Sequence, residues 1–455
     1  MAARKGHELI PGARRLIKSL RDLGYDFSQA VADVVDNAIQ AQASEVDVDV
    51  FFDGDGSWVR ITDNGEGLKP DKLREAMRYG AERDYDDDDL GKFGLGMKTA
   101  SMSQCRSLTV ASRWNKERAD IAAFCWDLEH IEKTNRWEIL PVGRSKLDAV
   151  LRQPLKDKTG TVVLWQRLDR ILGFEHPYGE KARKRLSQLC RDLELHLSMV
   201  FHRFISGQVH GKRLKIRLNT NELKPWDPFC QSELKTKRLQ PVRLHLENEG
   251  VEGDVLLQPF VLPHQEDFST PDAFRDAGGP ESWNQQQGFY IYRAGRMIQS
   301  GGWSNLRAPD EHTKLARIGV SFEPVLDEAF KINVAKMRVQ IPSQIREDVK
   351  QTIIPLTKLA REVYDRTAKK AARPPAPPPP STVRATAPTT NVGAGGAPSP
   401  ATAQSTSERM TTARVDVMTF DQWTSQLMAI ANPQEREVID AVTSRWRMRT
   451  KLRQP

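Results

Sequence analysis

Hydrophobic residues recur at helical spacing first between residues 28 and 43. Asp33, Asn37 and Gln40 share one side of this stretch, and Ser28 is placed to cap its start. The apolar positions on the other side are Val31, Val34, Val35 and Ala38. The pattern predicts an amphipathic helix in which Asp33 and Asn37 lie one turn apart.

Shorter apolar runs after this helix predict a sheet. Residues 46–53 and 57–63 indicate two strands joined by a DGDG turn, and a helix is expected at 69–80. Further strands are expected in the segments SLTVASRW, ADIAAFCWDL, WEILPV and GTVVLWQRL, before a long helical region at 176–206. The hairpin signals favour a mostly antiparallel sheet with helices above it, which is an α+β fold.

Pattern and composition divide the chain into four segments. The predicted segments are a first α+β domain (1–205), a smaller mixed domain (206–372), a linker (373–408) and a basic helical tail (409–455). The second domain is strand-rich and ends in a helix that Pro355 is expected to interrupt. The linker consists mostly of Pro, Ala, Thr, Ser and Gly, which bury too little apolar area to offset the entropy of ordering.

Composition and charge indicate that the chain is neither a membrane-spanning nor a secreted protein. The chain has 455 residues, a net charge of +8 and 39% hydrophobic residues. It has no apolar run of about 18 residues, so a membrane span is not expected. The basic N-terminus lacks the apolar core of a secretory signal, and the four cysteines form no closely spaced pair. We therefore expect a cytoplasmic protein with reduced thiols and no membrane partner.

The stretch GKFGLGMKTAS, at 91–101, raises the question of phosphate binding. A P-loop requires Lys directly after its second Gly, but here Met97 stands between Gly96 and Lys98. From these residues alone the stretch is a damaged P-loop, a Gly-rich turn or a phosphate lid of another design.

Three further sequence motifs carry candidate site residues, two before this stretch and one after it. AVADVVDNAIQAQA carries Asp33 and Asn37, ITDNGEGL carries Asp63, and DKTGTVVLWQ carries Thr161 at the start of a strand. Each piece alone is explained by a solvated helix face or an ordinary turn. Their order and spacing together are much more specific.

The combination resembles the GHKL superfamily, which includes gyrase B, the ninety-kilodalton heat-shock chaperone, histidine kinases and MutL. The resemblance implies a Bergerat-fold ATP-binding domain, a mixed sheet with helices on one face, with ATP and Mg²⁺ as ligands. It implies that Asn37 coordinates Mg²⁺ and that Asp33, where many members have Glu, is the general base. Asp63 would accept a hydrogen bond from the adenine amino group, with Gly65 and Gly67 against the ring.

The same resemblance extends nucleotide contacts to the lid and to the second domain. The lid and strand residues are Gly91, Phe93, Gly94, Leu95, Gly96, Met97, Lys98, Thr99 and Thr161. The second domain resembles a ribosomal-S5-like transducer through YIYRAGRMIQSGGW and AFKINVAKMRVQIP, the latter sending a lysine to the γ-phosphate. Lys336 is the first candidate for that lysine and Lys331 the second.

Within the superfamily the chain looks closest to MORC-like bacterial ATPases. That resemblance implies slow ATP hydrolysis and an ATP-dependent homodimer that acts as a clamp on DNA, in antiviral genome defence or chromosome maintenance. The arginine-rich tail RWRMRTKLR agrees with a nucleic-acid partner. The alternative is a chaperone-like or scaffold ATPase that recruits a separate effector protein, through its C-terminal tail, without binding DNA.

Overall fold

Strand pairing divides the described part of the chain into two sheets, and the first of them supports the helix that carries Asp33. The computed structural model describes residues 11–22, 24–80, 96–117, 120–143, 145, 147–173, 176–248, 250–332 and 339–366, with residues 428 and 436. The predicted linker and nearly all of the tail lie outside this described part.

The described residues form ten α-helices and fourteen strands. The helices are α1 (Ala13–Arg21), α2 (Phe27–Gln40), α3 (Pro70–Ala76), α4 (Gly96–Gln104), α5 (Leu128–Thr134), α6 (Ala149–Arg152), α7 (Glu180–Val200), α8 (His202–Ile205), α9 (Pro271–Ala277) and α10 (Arg346–Tyr364). The strands are β1 (Glu45–Phe51), β2 (Trp58–Asp63), β3 (Ser107–Arg113), β4 (Ala122–Asp127), β5 (Leu140–Pro141), β6 (Gly160–Gln166), β7 (Lys215–Leu218), β8 (Asn221–Glu222), β9 (Lys237–Arg238), β10 (Val242–Asn248), β11 (Val251–Val261), β12 (Gly288–Arg293), β13 (Arg296–Ser300) and β14 (Ala316–Phe322). None of these helices is both long and apolar enough to cross a membrane.

The first sheet has the strand order β5-β4-β3-β6-β2-β1-β7-β8. Its neighbours are antiparallel except for β1 and β7, which are parallel, so the mixed, mostly antiparallel sheet of an α+β fold is confirmed. Side chains of β6 alternate between two cores: Val163 and Trp165 face one, and Val162 and Leu164 the other. Both faces of the sheet are therefore covered.

The helices are distributed unequally over those two faces. Apolar residues of α1, α2, α4 and α7 share the larger core with β1, β2, β3 and β6. The opposite face is covered by the segment around α6, through Leu147, Leu151 and Leu155. The predicted cover of helices thus lies mainly, but not entirely, on one face.

The start of α2 differs from the prediction. The Asp26 side chain accepts a hydrogen bond from Gln29 N at 2.8 Å, and the Gln29 side chain bonds back to the Asp26 backbone, forming a capping box. Asp26 therefore ends the extended segment and Ser28 is already inside the helix, so the predicted Ser28 cap is wrong.

The first sheet also extends beyond residue 205, the predicted end of the first domain. β7 pairs with β1, and the Asn219 side chain accepts a hydrogen bond from Val50 N at 2.7 Å. The chain thus leaves α8, returns to the first sheet and adds two strands at its edge before the second sheet begins.

The second sheet has the order β10-β11-β14-β12-β13, with β9 paired to β11. Apolar residues of α10 cover one face, and α10 continues through Pro355 without the predicted interruption.

The opposite face of the second sheet presents Tyr290 and Tyr292 toward α7 and α8. His202 contacts the Tyr292 hydroxyl at 2.8 Å, and Arg203 lies 3.3 Å from the Tyr292 ring centroid. Both sheets belong to one compact unit that includes all described residues up to Tyr364.

A buried ion pair fixes one end of the second sheet. Arg293, on β12, donates through Nε and Nη2 to the two carboxylate oxygens of Asp327 at 2.7 and 2.8 Å. The two side chains are only 2% and 4% exposed. Charges at this depth require such bidentate pairing to offset their desolvation.

We expect Arg293→Leu to lower the free energy of unfolding by about 3–5 kcal/mol, because it leaves the Asp327 carboxylate buried without its cation. The exposed pair of Arg243 with Asp254 supplies the control, and Arg243→Ala should cost less than about 1 kcal/mol. Urea unfolding followed by tryptophan fluorescence measures both. Equal losses for the two variants would contradict this account of the buried pair.

Candidate functional site

Helix α2 places three polar side chains at buried or half-buried positions. Asp33 and Asp36 are 3% and 1% exposed, and Asn37 is half-buried. They are buried because α4 and α7 pack against α2 over the first sheet. Spacings of three and four residues bring the carboxyl groups and the amide to adjoining parts of one helix surface.

Local hydrogen bonds hold Asp33 in place. The Tyr25 hydroxyl donates to Asp33 Oδ2 at 3.0 Å, and Asn37 Nδ2 donates to the Asp33 carbonyl oxygen at 2.9 Å. Burial, and then the neighbouring Asp33 carboxylate, raise the pKa of Tyr25 far above its usual value. Tyr25 is therefore a neutral hydroxyl donor throughout the physiological pH range.

Among the described residues, a cation for the two carboxylates comes from the second sheet. Arg296, on β13, donates from Nε to Asp36 Oδ1 at 2.9 Å, and its Nη2 lies 3.5 Å from Asp33 Oδ1. Sequence analysis noted Arg296 only as part of a strand motif. It missed this contact, and no local pattern signals a partner 260 residues away.

Asp63 forms a second cluster at the end of β2. Its Oδ1 accepts hydrogen bonds from Gly65 N at 2.8 Å and from Thr161 N at 3.2 Å, while Oδ2 accepts none from the described residues. The Thr161 hydroxyl is 3.0 Å from that of Ser112, which accepts a bond from Leu68 N. The structure therefore joins the predicted residues Asp63, Gly65 and Thr161 across three strand ends.

Glycine is required at two positions around Asp63. Gly67 has φ +70°, and a Cβ there would lie 2.0 Å from the Arg113 carbonyl oxygen. A Cβ on Gly65 would lie 2.5 Å from the carbonyl oxygen of Ala41, the residue directly after α2. The turn after β2 is thus pressed against the end of α2, which brings the Asp63 cluster beside the helix that carries Asn37.

Burial controls the protonation of Asp63. Desolvation raises the pKa of this carboxyl to about 6, although the Gly65 and Thr161 amides and the nearby Lys158 charge act in the opposite direction. A ligand that donated a hydrogen bond to Oδ2 would stabilise the ionised form further.

The predicted lid is described only from Gly96 onward, and Gly91, Phe93, Gly94 and Leu95 lie outside the described residues. A Cβ on Gly96 would be 3.4 Å from Asp33 Oδ2, so the first residue of α4 lies beside the predicted base. Met97 packs against the larger core. The Thr99 hydroxyl is buried and has no hydrogen-bond partner among the described residues.

Lys98 points away from the position assumed from sequence. Its ammonium donates to the Ala76 carbonyl oxygen at 2.9 Å and lies 6.0 Å from the Tyr79 ring centroid. Burial lowers the pKa of Lys98 to about 8. A phosphate contact stays a prediction, and it would require this side chain to leave the end of α3.

Of the two lysines predicted to contact the γ-phosphate, the structure describes Lys331 but not Lys336. Lys331 is exposed, in a turn with φ +50°, and its amide bonds to the Glu328 carbonyl oxygen at 3.0 Å. Lys336 lies outside the described residues. The choice between them therefore stays a prediction.

Comparison with known proteins gives one family match that contains both clusters, the one around Asp33 and the one around Asp63. Residues 25–161 match the sequence model of the family described as histidine kinase-, DNA gyrase B-, and HSP90-like ATPase. The chain is also 30% identical over 118 residues to the DNA mismatch repair protein MutL of Beijerinckia indica, and 34% identical over 90 residues to that of Paramagnetospirillum magneticum. These alignments cover 26% and 19% of this chain but only 18% and 15% of the relatives.

The match supports an ATPase domain of the GHKL superfamily at residues 25–161. Asp33, Asn37, Asp63 and the described part of the lid all fall inside it, and Thr161 is its last residue. Arg296, which contacts both carboxylates of α2, lies well outside it.

We expect Asp63→Asn to change how stability depends on pH. The folded-state pKa of about 6 lies above the unfolded value near 4, so the wild-type protein loses stability as pH rises from about 4 to 6. That loss, on the order of 3 kcal/mol, should disappear in Asp63→Asn, whose amide oxygen still accepts from Gly65 and Thr161.

Urea unfolding between pH 4 and 8 measures this difference. At pH 7 the variant should be at least as stable as the wild type. An unchanged pH profile would show that Asp63 is not the buried titrating group.

Proposed function

We propose that the chain is an ATP-binding and slowly hydrolysing GHKL ATPase, whose ATP-dependent homodimer acts as a clamp on DNA. The observation that carries the ATPase part is the juxtaposition described above. A buried carboxylate fixed at the end of β2 lies next to the helix that bears an acid and an amide at i, i+4. The family match at residues 25–161 covers all three.

Asp63 and its surroundings suit an adenine ring. The Oδ2 atom, which accepts no hydrogen bond from described residues, would accept one from the adenine amino group. Gly65 and Gly67 let the turn after β2 pack closely against the backbone of Ala41 and Arg113, and this packing holds Asp63 in position. Thr161 closes the same side through its contact with Ser112.

The donor set also fits Mg²⁺. Asn37 uses Nδ2 as a donor to the Asp33 carbonyl oxygen, and its Oδ1 accepts no hydrogen bond from the described residues. An amide oxygen is a suitable ligand for Mg²⁺, which usually takes one or two protein ligands and completes its shell with phosphate and water. When bound, Mg²⁺ would neutralise charge on the phosphates.

Asp33 is the proposed general base. Its carboxylate would accept a proton from water as the water oxygen attacks the γ-phosphorus, and the bond from that phosphorus to the bridging oxygen breaks to release ADP. Burial excludes competing solvent, while Tyr25 fixes the side chain of the base and Asn37 bonds to its backbone.

The proposals of a clamp and of a DNA partner are supported by the resemblance to other ATPases and by the charge of this chain. The two relatives reported above are named as DNA mismatch repair proteins, and this chain carries a net charge of +8. On α7, Lys181, Arg183 and Arg185 are exposed. We further propose that the second sheet is the transducer, with Lys336 reaching the γ-phosphate, and that the role is in genome defence or maintenance.

Asp33→Asn and Asp63→Asn should affect different steps. Asp33→Asn should lower kcat at least about 100-fold with ATP affinity within about threefold of wild type, because only the proton acceptor is lost. Asp63→Asn should weaken ATP binding about 10- to 100-fold, because an amide nitrogen would face the adenine amino group. Phosphate release measures the first, and calorimetric titration of ATP with Mg²⁺ measures the second.

Asp49→Asn is the matched control, since Asp49 is another buried carboxylate paired with an arginine, Arg60, on β1 and β2. It should leave kcat and ATP affinity unchanged. Unchanged turnover in Asp33→Asn would remove the base assignment, and absence of turnover in the wild type would remove the ATPase proposal.

The DNA partner is tested through salt dependence. Binding of the full chain to duplex DNA should weaken steeply with salt, and replacing the four tail arginines with Gln should reduce the slope of log K against log salt by about 3–4. Those residues are Arg445, Arg447, Arg449 and Arg453. The control replaces four exposed arginines elsewhere, namely Arg74, Arg136, Arg243 and Arg275.

Light scattering with and without a non-hydrolysable ATP analogue follows the dimer in the same samples. No salt-dependent DNA binding in any form would remove the DNA clause and favour the scaffold alternative. An unchanged monomer fraction with the analogue would remove the clamp.

A further inference from the structure

We propose that Ser112 is a positioning residue that makes the Thr161 hydroxyl a hydrogen-bond acceptor, so that the pocket beside Asp63 selects a nucleobase with an exocyclic amino group over one with a carbonyl. This inference rests on the ATP binding proposed above and adds what sets its base specificity. The three residues lie at or next to the ends of β2, β3 and β6, and Ser112 is fully buried.

The first step is the set of contacts around the Ser112 hydroxyl. Its oxygen accepts a hydrogen bond from Leu68 N at 2.8 Å, and the hydroxyl donates to the Gly160 carbonyl oxygen at 3.1 Å. It also lies 3.0 Å from the Thr161 hydroxyl oxygen, and this distance alone does not say which hydroxyl donates. One side chain therefore joins the turn after β2 to the first residues of β6.

The second step is the count of hydrogens and lone pairs. A serine hydroxyl has one hydrogen and two acceptor lone pairs. An amide nitrogen only donates and a carbonyl oxygen only accepts, so Leu68 uses one lone pair of Ser112 and Gly160 uses its hydrogen. The contact with Thr161 is then a hydrogen bond only when Thr161 donates to the second lone pair. The Thr161 hydrogen is thus used inside the protein, and its oxygen offers only lone pairs to a ligand.

The third step is that the end of β3 is held in place. The guanidinium of Arg113, the residue after Ser112, donates to the Leu155 carbonyl oxygen at 2.8 Å and to that of Lys116 at 2.6 Å. A Cβ on Gly67 would lie 2.0 Å from the Arg113 carbonyl oxygen, so the turn after β2 is packed directly against this strand end. These contacts keep Ser112 between the turn and the start of β6.

The fourth step is the chemistry of the ligand edge that fits. Asp63 Oδ1 accepts from the Gly65 and Thr161 amides, while Oδ2 accepts no hydrogen bond from the described residues. The pocket therefore offers two acceptors, Asp63 Oδ2 and the Thr161 hydroxyl oxygen. An exocyclic amino group supplies N–H donors to such a pair, whereas a carbonyl oxygen at the same ring position would face lone pairs and leave both acceptors unpaired.

Binding of ATP and of inosine triphosphate, whose base has a carbonyl in place of the adenine amino group, tests the proposal. The wild type should bind ATP at least about 30-fold more tightly. Ser112→Ala frees the Thr161 hydrogen to donate to the carbonyl, so this preference should fall at least about fivefold. Ser112→Thr keeps a hydroxyl and should restore most of it. In all variants kcat at saturating ATP should stay within about twofold of wild type.

Calorimetric titration of each nucleotide with Mg²⁺ at pH 8 measures the ratio of the two affinities. Asp63 is ionised at that pH, because its pKa is about 6. Ser107→Ala is the matched control, since Ser107 is a buried serine on the same strand whose hydroxyl contacts the Cys125 sulfur at 3.4 Å. It should leave the ratio unchanged.

The outcomes separate this inference from the proposed function. A purely structural role for Ser112 would weaken both nucleotides equally in Ser112→Ala, and a ratio within twofold of wild type would overturn the inference while leaving ATP binding intact. A wild type that binds the two nucleotides equally would overturn it as well. Absence of ATP binding by the wild type would instead reject the proposed function, and the inference with it.

Should Ser112→Ala fail to fold, Thr161→Val carries the test in the same titrations. Valine keeps the shape of threonine without the hydroxyl, so ATP loses an acceptor and inosine triphosphate loses a repulsive contact. We expect the preference for ATP to fall at least about fivefold. An unchanged preference would show that the Thr161 oxygen does not select the base, and would overturn the inference.

Discussion

The structure depends on how the charge of two buried carboxylates is compensated. Asp33 and Asp36 lie on a helix covered by α4, α7 and the first sheet, where an unpaired charge would cost several kcal/mol. The segment before α2 supplies Tyr25, a neutral donor, and among the described residues Arg296 on the second sheet supplies a cation. The helix that carries the proposed chemistry is therefore tied to the second sheet by ion pairs.

The family match and the compact unit have different sizes. Residues 25–161 contain both clusters of candidate site residues, whereas the compact unit continues to Tyr364. Helices α7 and α8 fill the space between the sheets, with His202 and Arg203 on Tyr292 and apolar side chains against α2. A domain cut after Thr161 would expose that surface and remove Arg296. The matched segment thus contains the candidate site residues, while their packing and ion pairing also involve the rest of the unit.

Sequence predicted those features that local pattern determines. The period of α2, the β1–β2 hairpin and the strand ends at Asp63 and Thr161 follow from residues close together in the chain. The cap of α2 was wrong because Asp26 and Ser28 are both good capping residues, and only the capping box with Gln29 decides between them. The return of β7 to the first sheet and the Arg296 contact could not be predicted, since each pairs residues more than 150 positions apart without a local signal.

The β12–β13 hairpin is the part of the second sheet that links helix α2 to the segment before Lys336. Its turn is the tight two-residue kind, with positive φ at both Ala294 and Gly295, so Arg293 and Arg296 face each other across the two strands. Arg293 is locked to Asp327, whose carbonyl oxygen accepts from Ile332 N, the last described residue before Lys336. Arg296 is anchored on α2. Two buried ion pairs on one short turn therefore connect the carboxylate proposed as base to the segment proposed to carry the phosphate-sensing lysine. Because a packed hairpin moves as a unit, a displacement of that segment would change the distance from Arg296 to Asp33.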